Sequence, residues 1–352
     1  MEFDEVKSFF NEEGICTNFQ LLKRNIFKCG LDDNGRAFIY PYLLGVKDPN
    51  ISFEANNQIL KNKLQQYTTM KSQWQSFLPD QVKNVPAIAD LLRVVCGDVK
   101  RTDRFTPQYG PDDSLYSKVL HDVLVTYDLY NNDTSYVQGI GDLISPIIII
   151  IIKDWKDDET AILYDGTTTS RIEIESYIFW ILTGILHTLK HDRIFMNLLE
   201  NQKFVLKRIF KFASLVDPPV QRLFQHTEME DLLFMFRPYL LLFKRDFPVP
   251  NLLRIWDSFF SAELISVFPR IFASALIILL FPLYLTAEDF SIGEIMRITD
   301  SAISSIDPET ALNLSVAIQE EMLSMVDNQW IFDDMPDNDQ YIEWEPKFLK
   351  LL

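Results

Sequence analysis

Apolar residues recur along this chain at intervals of three and four, the spacing that lines one face of a helix. The clearest stripe is Leu115, Val119, Leu120, Val123, Leu124 and Tyr127, with Asp112-Asp113-Ser114 before it as a cap and Asn131-Asn132-Asp133 after it as a stop. Residues 1–29 predict short helices carrying Val6, Phe9 and Phe10, then Phe19, Leu22, Ile26 and Phe27, and Gly30 ends that run. Asp32-Asp33-Asn34-Gly35 opens a helix over Arg36 to Leu44 that Gly45 stops. Ile51 to Phe77 is mostly polar, with Ile59, Leu60, Leu64 and Tyr67 at helical spacing, and predicts a long helix packed along one stripe. Pro86 suits the first turn of the next helix, which runs through Val95 toward Asp98.

Tyr136 begins a strongly apolar segment that ends in the isoleucine run Ile147 to Ile152. Isoleucine favours strands. No second alternating segment offers a partner strand, and an isolated strand is marginal, so this stretch is expected to be a buried helix. Helical patterning then continues over Ile172–Leu189, Ile194–Phe212, Thr227–Lys244, Pro250–Phe260, Leu264–Phe281 and Ala311–Met325. No fixed period recurs, so no solenoid is expected. The pattern as a whole predicts an all-α protein.

Composition narrows the picture. With 352 residues, 47% hydrophobic, the chain can bury a large core, and no Ser/Gly/Pro-rich linker divides it. A net charge of −17 argues against nucleic acid and against direct docking on anionic lipid. Cys16, Cys29 and Cys96 show neither a metal-binding spacing nor a disulfide framework, which points to a reducing compartment. The acidic start Met1-Glu2-Phe3-Asp4-Glu5 lacks a signal-peptide pattern. The apolar runs Ile147 to Ile152 and Ile271 to Leu285 fall short of the roughly 20 residues a bilayer requires. The segment from Asp327 to Glu345 alternates carboxylates with Trp330, Phe332, Tyr341 and Trp344. It reads as a tail whose aromatics pack back on the helices, or as an acidic-aromatic interaction segment.

Two polar positions stand out around the 115–127 helix. Arg101 lies in a basic island with Arg93, Lys100 and Arg104, and Gln138 precedes Gly139. A guanidinium is planar, permanently charged and suited to phosphate oxygens. A glutamine amide donates and accepts, so it can hold a water. Gly139 lets the backbone approach another surface closely. Without further context a lone arginine is usually a solvated or salt-bridged residue, and Gln-Gly is usually a turn.

Context comes from five motifs in order. Val95-x-x-Asp98-x-x-Arg101-Thr102 and Tyr136-x-Gln138-Gly139 resemble the two finger motifs of the TBC domain, the Rab GTPase-activating fold. Arg36-x-x-x-Tyr40-x-x-Leu43-Leu44-Gly45, after Gly30-Leu31, resembles that family's opening motif. Asp142-Leu143-x-Ser145-Pro146 follows the second finger as in many members. Phe236-Arg237, Phe243-Lys244-Arg245-Asp246-Phe247 and Leu253-Arg254-Ile255-Trp256-Asp257 resemble its third motif block. Tyr40 stands at a frequent Trp position, and Pro238 follows Phe236-Arg237 where the family often has Trp, which puts the geometry of the third block in question.

The resemblance implies an all-α, V-shaped fold of two helical subdomains. It implies an N-terminal extension over 1–19, a TBC domain over 20–325 with its finger-bearing part to about residue 190, and an acidic tail over 326–352. It implies GTPase activation in trans, with Arg101 as arginine finger and Gln138 as the glutamine that replaces the GTPase's own. Asp98 would orient Arg101 and Tyr136 would brace Gln138, while Thr102, Gly139, Arg104 and Asp142 would support the site or meet the GTPase. Arg237, Arg245 and Arg254 would be structural ion-pair residues. The chain would need no cofactor of its own, since GTP and Mg²⁺ arrive with a GTP-bound Rab partner. A cytoplasmic protein that reaches endomembranes only through that partner is expected.

Other candidates are weaker. His187 and His191, at i and i+4 beside Asp192, could face one metal ion, but no third ligand is evident. Ser145 lacks the glycines of a nucleophile elbow, and no phosphate-cradling loop occurs. Two alternatives to an active GTPase activator are a catalytically silent TBC-fold scaffold that binds a Rab, and a helical adaptor acting through its acidic tail.

Overall fold

The computed structural model describes residues 1–131, 136–164, 166–325 and 329–332. In chain order it runs α1 (Phe3–Lys7), α2 (Phe19–Cys29), α3 (Asp33–Leu43), α4 (Phe53–Gln75), α5 (Pro79–Asn84), α6 (Pro86–Val99), α7 (Leu115–Tyr130) and α8 (Ile140–Ile151). A small sheet follows, β1 (Ile152–Asp157), β2 (Thr160–Leu163) and β3 (Thr168–Ser170). The remainder is α9 (Arg171–Thr188), α10 (His191–Met196), α11 (Leu198–Val216), α12 (Pro218–His226), α13 (Leu233–Leu240), α14 (Val249–Ser261), α15 (Phe268–Tyr284), α16 (Ile292–Ala302) and α17 (Pro308–Ser324). The fold is all-α apart from that sheet.

Local chemistry sets many of the boundaries. Side-chain oxygens of Asn18, Asp32, Ser52 and Ser114 accept backbone N–H groups in the first turns of α2, α3, α4 and α7, donors that a helix start leaves without partners. Ser170 and Glu173 form a reciprocal capping box at α9. Proline occupies the first or second position of α6, α12 and α17, where its missing N–H costs nothing.

The isoleucine run is helical. Every residue of α8 except Ile149 is buried, and α8 packs against α3, α7 and α9. A helix enclosed on nearly all sides is largely apolar all round, here with Asp142 and Ser145 as its buried polar side chains. The strand begins where that helix ends, at Ile152.

Four features depart from the sequence expectation. The β1-β2-β3 antiparallel sheet carries little apolar alternation, because β1 faces solvent at Lys153, Asp154, Lys156 and Asp157. The helix expected over Ile194–Phe212 is two helices, broken at Asn197 (φ −137°, ψ 75°). The helix expected over Thr227–Lys244 shrinks to α13, since Glu228, Leu232, Leu242 and Phe243 all adopt left-handed backbone. Pro238 lies in that short helix and cannot donate to it. Finally, α5, α12 and α16 lie where no helix was expected.

One core runs from Val6 to Leu312. The opening motif and the third block meet inside it. Asp257 Oδ1 accepts from Arg36 Nε at 3.1 Å, and its Oδ2 accepts from Arg36 Nη2 at 2.8 Å. Tyr40 Oη and the Leu31 N–H donate to the same carboxylate at 2.7 and 2.9 Å. Arg254 donates to the carbonyls of Phe27 and Lys28 at the end of α2 and pairs with Glu309 of α17. A second, smaller cluster joins Phe212, Ile271, Ile318 and Ile331. Trp330 packs there on Phe212, with the Lys211 ammonium 3.4 Å from its ring centroid. Trp330 thus packs back on the helices, and residues 326–328 and 333–352, the rest of the segment read as a tail, lie outside the described residues.

Candidate functional site

The C-terminus of α6 presents the first motif. Val95 is fully buried and anchors the last turns of the helix, while Asp98 is 5% exposed. The Asp98 carbonyl accepts the backbone N–H groups of Arg101 and Thr102 and the Thr102 hydroxyl, the latter at 2.9 Å. That turn buries Thr102 and projects Arg101 outward, its side chain 60% exposed. Asp98 Oδ1 accepts from Arg101 Nη2, so one carboxylate on the helix aims the guanidinium.

The second motif enters α8. Gln138 is exposed in the turn before the helix, and Gly139 is its N-cap in left-handed backbone, φ 106°. The left-handed backbone favours glycine here, and a Cβ at Gly139 would stand 2.7 Å from Leu241 Cδ2 and displace that side chain. Tyr136 turns its hydroxyl inward toward Asp98. Burial and the neighbouring Asp98 carboxylate push the phenol's pKa far above its usual value. Asp98 Oδ2 and Tyr136 Oη nonetheless lack a partner of hydrogen-bond geometry among the described residues. Asp98 thus stands under both motifs, bonded to Arg101 and facing the residue two places before Gln138.

Lys244 and Arg245 fasten this arrangement from the far half of the chain. Asp142, buried in the first turn of α8, accepts from Lys244 Nζ at 3.0 Å and Arg245 Nη2 at 2.6 Å. Its charge also suits a helix N-terminus. Lys244 bonds Asp103, two residues past Arg101, whose other oxygen accepts from Ser145 Oγ at 2.7 Å. Tyr109 Oη donates to the Ser145 carbonyl at 3.0 Å. Asp142, and then Asp103 and Asp98, hold the Arg245 guanidinium's pKa above its ordinary value against the cost of burial. Pro238 does not prevent these contacts. Arg245 and Arg254 form ion pairs as expected, and Arg237 joins Asp246 and Asp300.

Sequence reasoning did not find the roles of Lys244, Asp103, Tyr109 and Ser145. Their partners lie far away in the chain, and the visible signals were the Asp142–Pro146 and Phe243–Phe247 motifs themselves. The basic island is also looser than its spacing suggests. Arg93 pairs with Asp90 on the surface, while Arg104 lies over the ring of Phe105, itself 89% exposed.

The histidine pair does not form a metal site. A break at Lys190 (φ 56°) separates α9 from α10. His187 is 3.8 Å from Asp192, whereas the fully buried His191 turns its Nε2 to the Tyr239 carbonyl at 3.3 Å. Among the described residues no cluster of three or more His, Cys, Asp or Glu could hold a metal, and no helix is long and apolar enough to cross a membrane.

This surface offers an exposed guanidinium aimed by Asp98 and, at the entry to α8, an exposed neutral amide. Comparison with known proteins places the chain in a family. The Rab-GTPase-TBC domain pattern matches residues 33–283. TBC1 domain family member 17 of Mus musculus is 30% identical over 255 residues, covering 72% of this chain and 36% of that protein. The GTPase-activating protein GYP7 of Candida glabrata is 29% identical over 285 residues, covering 72% of this chain and 34% of that protein. The chain therefore spans about a third of the length of these relatives. A solved Ypt/Rab-GAP domain of Gyp1p superposes with a TM-score of 0.72 over 91% of this chain and 97% of that one, and at 18% identity this likeness shows the fold. A Chlamydomonas flagellar RabGAP TBC domain superposes at 0.59 over 86% of each chain with 16% identity. The pattern covers more than half of the sequence, and this chain belongs to the Rab-GTPase-TBC domain family.

Proposed function

We propose that the chain accelerates GTP hydrolysis by a Rab-family GTPase, supplying Arg101 and Gln138 in trans. The observation that carries this reading is Asp98, which bonds the exposed Arg101 guanidinium and faces Tyr136 beside the exposed Gln138. Arg101 stabilises the negative charge that develops on phosphate oxygens, an effect worth about 10³–10⁵ in rate when an arginine is supplied in trans. Gln138 positions the attacking water. Asp98 and Tyr136 hold the two groups before the partner arrives, so less order is lost at the moment of reaction. Thr102, Gly139 and Asp142 support the turns that carry them, and exposed Arg104 meets the GTPase. GTP and Mg²⁺ come with the GTP-bound partner. The protein works in the cytoplasm and reaches endomembranes through that partner.

Single-turnover hydrolysis across a panel of Rabs tests the proposal. With a responsive Rab, Arg101→Ala and Gln138→Ala should each abolish most of the acceleration. Arg101→Lys should fail nearly as badly, because an ammonium lacks the planar fork. Unchanged acceleration in the alanine variants would reject the two-finger mechanism. Binding to a GTP-loaded Rab with no acceleration across the panel would identify a silent scaffold. Binding lost on removal of residues 326–352, with no Rab response, would identify the tail adaptor.

A further inference from the structure

Away from the fingers, a cleft of about 550 Å³ opens among α3, α4 and α9, beside the turn between β2 and β3. Its apolar lining includes Phe38, Leu64, Ile151, Ile174 and Trp180. Ile151 is the last residue of α8, so the twelve-residue helix sets the cleft about 18 Å from the Gln138 turn. A volume of this size falls in the range that holds small ligands.

The charges at the cleft are opposite to those of the chain. Lys47, Lys61 and Lys63 line it, in a protein of net charge −17. Among the described residues its one lining carboxylate, Glu173, is engaged: Oε2 accepts from the Ser170 N–H and hydroxyl and from the Thr169 hydroxyl. The Lys63 ammonium lies 3.9 Å from the Trp180 ring centroid, and the Trp180 indole donates to the Lys63 carbonyl at 3.1 Å. Burial pushes the Lys63 pKa down, with no carboxylate acting against it. Among the described residues neither Lys61 nor Lys63 forms an ion pair. A partly desolvated ammonium beside an apolar cavity favours an anion that brings its own apolar body.

We propose that this cleft binds a small amphiphile with one apolar chain and an anionic head, the chain lying among Phe38, Leu64 and Ile174 and the head meeting Lys61 and Lys63. The site is independent of the GTPase-activating reading. Its ligand is either a dispersed carboxylate amphiphile or an acidic lipid drawn from a bilayer.

Calorimetric titration of the full chain tests the site with three probes of equal tail length, each below its micellar concentration: decanoate, decanol and decyltrimethylammonium. Decanoate should bind about tenfold or more tightly than either of the others. The double variant Lys61→Gln/Lys63→Gln should weaken decanoate binding about tenfold while retaining the wild-type circular dichroism spectrum. Should the double variant fail to fold, the exposed Lys61→Gln alone should weaken it about threefold. No decanoate binding, equal binding of decanol, or full affinity in a folded lysine variant would overturn the proposal. Flotation with phosphatidylcholine vesicles, with and without phosphatidic acid, separates the two sources. Lysine-dependent retention on the acidic vesicles assigns a bilayer lipid, and decanoate binding without retention assigns a dispersed amphiphile.

Discussion

Arg245 reaches Asp142 across 103 residues of sequence, Nη2 donating to Oδ2 at 2.6 Å. With Lys244 on the other oxygen, Asp142 is a buried carboxylate whose two cations come from a different part of the chain. Asp142→Ala would leave Lys244 buried with reduced compensation and should destabilise the fold by about 3–5 kcal/mol. Arg245→Ala removes a half-exposed guanidinium and should cost about 1 kcal/mol. Urea midpoints of the two variants measure the difference, and equal midpoints would contradict this asymmetry.

Gly139 offers a separation of activity from stability. Gly139→Ala places a methyl against Leu241 on left-handed backbone, a strain of about 1–3 kcal/mol. The turn can relieve it by moving Gln138, so GTPase acceleration should fall more than tenfold, by the sensitivity of rate to about 1 Å of misplacement. Gly139→Ala/Leu241→Ala removes the clash but not the backbone strain. It should recover part of the stability and little of the acceleration, as read by thermal melting beside single-turnover rates.

How far the site could be read in advance differs residue by residue. Arg101, Gln138 and Asp98 lie in short contiguous motifs, and the resemblance of those motifs to a known family brings them to notice. Ser114 and Pro86 act through neighbours a few residues away, and they begin their helices as expected. Lys244 and Asp103 act across 141 residues, and no local pattern marks such a pair. The sheet was hidden for another reason: only Ile152 and Ala161 among its residues are buried, so it carries almost no apolar alternation. Asn197 and the left-handed Leu232, Leu242 and Phe243 break helices at residues that do not announce a break. Tertiary packing decides those positions against local propensity.

His191 makes the fold sensitive to acid. Burial lowers its pKa to about 4 from an ordinary 6.5, against the weaker pull of the Tyr239 and Leu240 backbone and Asp192, with Arg270 adding to the shift. The unfolded chain therefore takes up this proton first as the pH falls. The stabilisation is complete above about pH 6.5 and is lost progressively down to about pH 4. His191→Gln cannot titrate, so its loss of stability between pH 7 and 5 should be smaller than wild type by about 2 kcal/mol. Asp128 and Asp246, both raised to about 6 by burial, act in the opposite sense in both proteins. Denaturation curves at the two pH values decide it, and parallel losses would show that His191 is not the sensor.

Asp257 gathers Arg36, Tyr40 and the Leu31 N–H in a fully buried pocket. Asp257→Ala leaves the Arg36 guanidinium buried with only the exposed-side Asp33 and should cost about 3–5 kcal/mol. Tyr40→Phe removes one donor and should cost about 1 kcal/mol. Guanidinium chloride midpoints rank the two, and a Tyr40→Phe loss as large as that of Asp257→Ala would contradict the ion pair's primacy.

The same carboxylate sets a timetable for the protein's birth. At roughly 5–20 residues per second of synthesis, Asp257 leaves the ribosome roughly 10–45 s after Arg36. Throughout that interval α3 carries a guanidinium and a phenol meant for a partner that does not yet exist. The Arg36 and Tyr40 contacts to Asp257 must wait for that emergence, while α3 can already meet α8 and α9.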